Sequence, residues 1–128
     1  MIGTNDRHVT TKSQYYANLQ TIYNYCSECG VDIIFMACIP SSVAVEESQT
    51  NYHMEDVDHV VMKVSAYYQQ EYISVYKHFI EYCRSTGVTI DSLLNEGGLH
   101  PNDTGYEVMF EIICNALGIA TKRDGATW

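Results

Sequence analysis

The sequence predicts an α/β fold built on a parallel sheet that is short of strands. Helical and extended hydrophobic periodicities alternate along the chain, in the order helix, strand, helix, strand, helix, helix. The run Val31-Asp32-Ile33-Ile34-Phe35-Met36-Ala37-Cys38-Ile39 is apolar almost throughout and rich in β-branched residues, as in a strand buried on both faces. A single further full strand at residues 72–76 and a stub at Met1-Ile2 accompany it. A parallel pair cannot stand alone, because both faces and both edges need cover. The chain therefore reads as the C-terminal part of a larger doubly wound domain.

Each element has its own signal. Residues 10–29 place Tyr15, Leu19, Ile22, Tyr23 and Cys26 on one helical stripe, with Thr10 or Thr11 to cap the start. Gly30 suits the left-handed position that ends this helix. The first strand, residues 31–39, stops at Pro40, and residues 41–51 are polar and aperiodic, a loop. Residues 54–70 form a second helix with Met54, Val57, Val61, Val64 and Tyr68 on one face. After the second strand, residues 77–85 turn helical again, presenting Phe79, Tyr82 and Cys83. Residues 89–102 are mostly loop, with one turn through 91–94. The last helix starts near Asn102 or Thr104, where Thr104-Gly105-Tyr106-Glu107 has capping-box form, and ends at Gly118. Residues 1–120 thus make one domain, and residues 121–128 are expected to be a flexible tail.

Composition narrows the function classes. A formal charge of −9 argues against non-specific attraction to nucleic acid or anionic membrane. No stretch approaches the roughly 20 apolar residues of a membrane span. No signal peptide is visible, and the compartment stays open. Five cysteines make an odd count, and the Cys26-x-x-Cys29 pair lacks the second pair of a zinc site. Reduced or packed thiols are the expectation, with no metal. His53 and His59 flank Glu55, Asp56 and Asp58, which reads as a solvated helix start. His78 reads as a surface side chain.

Two motifs carry chemistry. Gly3-Thr4-Asn5-Asp6 opens the chain, and Leu99-His100-Pro101-Asn102-Asp103-Thr104-Gly105-Tyr106 precedes the last helix. Together they resemble the third and fifth sequence blocks of the SGNH (GDSL-type) hydrolases, a family of serine esterases and lipases. The resemblance extends to the order of elements and implies a three-layer α/β/α, flavodoxin-like fold, of which this chain is the C-terminal portion. It also implies acyl-ester hydrolysis without cofactors. In that frame Asn5 donates to the oxyanion hole, where one preorganised donor lowers the barrier by roughly 3–4 kcal/mol. His100 is the general base that deprotonates a serine and returns the proton to the leaving alcohol.

The chain departs from the family pattern in two ways. The Gly-Asp-Ser block is absent, Ser41 and Ser42 lack its context, and Cys38 lies within an apolar strand, so no nucleophile is assigned. Where the family has an Asp three residues before the His, this chain has Gly97, and Glu96 becomes the candidate orienter. The expected substrate is a small-molecule or glycan acyl ester, and an upstream segment or second chain is needed to complete the sheet. The alternative reading is a non-catalytic SGNH-like binding or structural module, such as carbohydrate recognition within a larger surface or viral assembly.

Overall fold

The computed structural model describes residues 2–120. Its helices are α1 (Asp6–Val9), α2 (Lys12–Glu28), α3 (Val43–Glu47), α4 (Met54–Tyr68), α5 (Val75–Thr86) and α6 (Asp103–Ala116). Its strands are β1 (Ile34–Met36) and β2 (Glu71–Ile73), and a single 3-10 turn covers Asp91–Leu93. The strands pair in parallel, with Phe35 opposite Tyr72 and Met36 opposite Ile73, and α4 crosses between them. Alternation along the strands builds three layers. Phe35 and Tyr72 pack with Tyr15, Leu19, Val57, Val61 and Val64 of α2 and α4. Met36 and Ile73 pack on the other side with Val75, Phe79, Cys83 and Val108 of α5 and α6. This is the α/β/α sandwich expected from the sequence.

Local chemistry sets the boundaries. Thr11 and Gln14 form a reciprocal capping box at the start of α2. Gly30, at φ 69°, then reverses the chain toward β1. Tyrosines fill the layer between α2, α4 and the sheet, and each deep one finds a partner for its hydroxyl. Tyr15 stacks on Tyr52 at 6.2 Å and donates to the Ile2 carbonyl at 2.7 Å, while Tyr52 and Thr10 share a hydrogen bond at 3.0 Å.

Both strands are shorter than the sequence suggests. Residues 31–33 have no ladder partner, and beyond Met36 only the Ala37 N–H continues the pairing, donating to the Ile73 carbonyl at 3.0 Å. Among the described residues β1 is paired along one edge only, so its length is limited by β2. Ile34 remains 47% exposed as a result. β2 itself stops at Ile73, because the Ser74 hydroxyl accepts from the Lys77 N–H at 3.1 Å and starts α5 there. Tyr76, expected in the strand, is therefore helical.

Two short helices escape the periodicity argument. Ser42 caps α3 inside the expected loop, and α1 follows Asn5 directly. Neither has enough turns to show an amphipathic stripe. Ile2 lies in no strand, while Met1 and the expected tail at 121–128 fall outside the described residues.

Candidate active site

The two sequence motifs meet at one cleft. It has a volume of about 350 Å³ and lies beyond the C-terminal end of β1, where ligands bind in open α/β sheets. Asn5 and His100 both line it, together with Asp6, Ile39, Tyr106 and Met109. Among the described residues that line it, Asp6 is the sole carboxylate and none is a lysine or arginine.

Packing constrains the loop that carries Asn5. Gly3 sits at φ 136°, and a Cβ there would meet the Tyr15 hydroxyl at 2.7 Å as well as Val57. Only glycine lets the backbone lie that close to α2 and α4. Asn5 then occupies the residue before α1, exposed, with its carboxamide free of hydrogen bonds among the described residues. The following residue but one, Arg7, is fully buried.

A tight backbone loop sets His100. An isolated antiparallel bridge joins Leu94 to Pro101, and the Asn95 N–H donates to the His100 carbonyl at 2.9 Å. Asn102 locks the neck. Its Nδ2 donates to the Ser92 and Leu94 carbonyls at 2.9 and 3.2 Å, and its Oδ1 accepts from the Gly105 N–H at 3.0 Å to cap α6. Asn102, rather than Thr104, is therefore the cap. The His100 imidazole is exposed and makes no hydrogen bond among the described residues.

Glu96 does not line the cleft with His100. It is exposed and lines a separate hollow with Ser42, Asp91, Asn95 and Gly98. The Gly98 N–H donates to the Asn95 carbonyl at 2.8 Å and closes a turn over residues 96 and 97. Ser41 and Ser42 are both buried and engaged. The Ser41 hydroxyl donates to Glu46, and the Ser42 hydroxyl accepts the Val45 N–H at 3.3 Å. Cys38 is buried, its Sγ 3.4 Å from the Ile2 carbonyl, and it lines the same cleft as Asn5 and His100.

The remaining ionisable groups serve structure. His53 pairs with Glu46 at 3.0 Å, and its N–H donates to Asp56 at 3.0 Å at the start of α4. His59 lines a broad groove between α2 and α4, and His78 pairs with Glu81 on the surface. Burial opposes ionisation of Glu46. Hydrogen bonds from Ser41, Arg7 and the Met54 N–H, with the Arg7 charge, outweigh it and hold the carboxyl below its ordinary pKa. Fully buried Asp58 accepts from Tyr72 and, at 2.6 Å, from Ser74, while Lys77 stands 3.6 Å from its other oxygen. Burial, then the Asp58 hydrogen bond, pushes the Tyr72 hydroxyl well above its usual pKa. Among the described residues no three His, Cys, Asp or Glu side chains gather to hold a metal, and no helix is long and apolar enough to cross a membrane.

Sequence reasoning did not foresee Asp6, Tyr106 and Met109 as cleft-lining residues. Asp6 and Tyr106 were legible only as members of the two motifs, and Met109 only as part of the apolar side of the last helix.

Two solved structures share this architecture. A candidate GDSL-like lipase from Parabacteroides merdae ATCC 43184 superposes with a TM-score of 0.74 over 94% of this chain, at 20% identity. The esterase domain of the ZfL2-1 ORF1 protein from the zebrafish ZfL2-1 retrotransposon superposes with a TM-score of 0.63 over 92% of this chain, at 17% identity. The chain spans 59% of the first and 66% of the second. At these identities the likeness is one of fold, and the chain has a GDSL-type α/β fold. No protein-family model matches it, and no curated protein matches it in sequence.

Proposed function

We infer that this GDSL-type fold forms one part of an acyl-ester hydrolase, in which Asn5 and His100 serve a serine lying outside residues 1–128. The observation that carries this reading is the shared cleft. A carboxamide and an imidazole from opposite ends of the sequence line the same cavity, each without a hydrogen bond among the described residues. An unengaged donor and an unengaged base are what acyl transfer requires.

In this mechanism the serine oxygen attacks the ester carbonyl as His100 takes its proton. The carbonyl oxygen gains negative charge and accepts from the Asn5 amide. His100 then gives the proton to the departing alcohol, and water repeats the sequence on the acyl-enzyme. No cofactor enters any step. With Asp6 and no lysine or arginine among the described lining residues, the cleft favours neutral acyl esters, small or carried on a glycan, over phosphorylated ones. The serine segment, upstream or on a second chain, would add strands along the open edge of β1, beside the cleft. Asp6, already in the cleft, is better placed than Glu96 to orient the imidazole.

A second reading, a non-catalytic module of the same fold, draws on Gly97 and on the separation of Glu96 from His100. Hydrolysis of p-nitrophenyl acetate distinguishes the two. Residues 1–128 alone should match free imidazole. Joined to a serine-bearing segment found in the same gene or a neighbouring one, they should turn over. His100→Ala should then abolish turnover, and Asn5→Ala should lower kcat by about 10²–10³-fold. A completed protein that is inert, or whose turnover ignores His100→Ala, would refute the catalytic reading.

A further inference from the structure

We propose that Arg7, Glu46 and Ser41 form a buried positioning network that holds the Asn5 loop and the His100 loop as one rigid unit. This rests on the catalytic reading above only in treating those two loops as a site.

The network starts from a charge with no access to water. Arg7 is 0% exposed, and a guanidinium so placed must be compensated on all sides. It spends its planar fork on three separate segments. Nε donates to the Thr4 carbonyl at 3.3 Å, directly before Asn5. Nη1 donates to Glu46 Oε1 at 2.5 Å, in α3, and Nη2 reaches the Ser41 hydroxyl at 3.5 Å, in the segment leaving β1. The Ser41 hydroxyl donates to the same Glu46 oxygen and closes the triangle. A lysine would offer a point charge and lose this geometry.

The link continues to the other loop through the next residue. The Ser42 N–H donates to the Gly98 carbonyl at 2.9 Å, two positions before His100. Gly98 lies at φ 64°, and a Cβ there would collide with the Ser42 side chain. The two backbones therefore touch directly. Hydrogen bonds from Thr4 through Arg7 and Glu46 to Ser41, the peptide bond to Ser42 and its hydrogen bond to Gly98 make one path, with a loop of the site at each end. An apolar cluster of equal volume would be as stable or more so, but would leave the relative placement of these loops less defined. The ionic network acts on position.

Amide hydrogen exchange and NMR of the whole chain test this. With Glu46→Ala, exchange should quicken by about tenfold or more at both the Arg7 and the Ser42 N–H, while α5 amides keep their protection. The His100 ring and Asn5 carboxamide signals should shift in the same variant. Glu46→Gln, which keeps an acceptor but removes the counter-charge of Arg7, should restore part of the protection. If Glu46→Ala yields no folded protein, Ser41→Ala carries the same readings. Unchanged His100 signals with an unchanged Ser42 amide would overturn the proposal, as would a uniform loss of protection reaching α5. Ester turnover of the completed protein reads separately. Coupled loops without turnover remove the catalytic reading alone, and turnover with uncoupled loops removes the network alone.

Discussion

Gly105→Ala sets two local effects against each other, and the structure decides the sign. Gly105 lies in the first turn of α6, where alanine in place of glycine normally stabilises a helix by about 1 kcal/mol. Here, however, a Cβ would run into the Leu93 backbone carbonyl and come within 2.9 Å of the Pro101 Cβ. The carbonyl has little room to yield, because it accepts the Asn102 N–H at 3.0 Å. Overpacking of this kind costs about 1–3 kcal/mol, and weakening that hydrogen bond adds about 1 kcal/mol. Less the helix gain, Gly105→Ala should destabilise by about 1–3 kcal/mol, a fall in Tm of roughly 4–12 °C for a domain of this size. Thermal unfolding followed by circular dichroism measures it. Gly118→Ala is the control, since no described residue lies within 4 Å of a Cβ there and its left-handed φ of 66° opposes the change. An unchanged or raised Tm for Gly105→Ala would refute the claim that α6 is clamped beneath the His100 loop.

Three further outcomes are expected. Asp58→Ala strips an acceptor from Tyr72 and Ser74 inside the core, and should lower stability by at least about 2 kcal/mol in urea unfolding; a smaller loss would mean those hydroxyls find other partners. Asp56, like Glu46, sits below its ordinary pKa: burial opposes ionisation, but the His53 N–H and Lys12 outweigh it. The stability these two carboxyls add is complete above their unfolded values of 4.5 and 3.8 and drains as pH falls through their folded ones; Glu46→Gln should flatten that acid slope, seen in denaturant midpoints measured from pH 6 downward. The open edge of β1, with Ile34 exposed, and the apolar stripe of Tyr106 and Phe110 on α6 with Leu117 just past its end should drive self-association, and a single monomer boundary in sedimentation velocity at tens of micromolar would contradict this.

The class of fold and the major helices were legible along the chain because each signal is local. Periodicity marks α2 and α4, Thr10 and Thr11 mark the start of α2, and a nearly continuous apolar run can be satisfied only between two layers. The capping box of Thr11 and Gln14 came from the structure. The motifs at Asn5 and His100 were legible as residue patterns in the same way. Strand length was not, since a ladder ends where its partner ends, and the Ser74 cap that stops β2 belongs to the next helix. Nor could spacing show that Asn5 and His100 line one cavity, or that Glu96 lines another. Those outcomes depend on which segments meet across β1. A buried Arg7 decides part of it, yet in sequence it is only one cation among seven, because burial is a property of the packed chain and not of the residue.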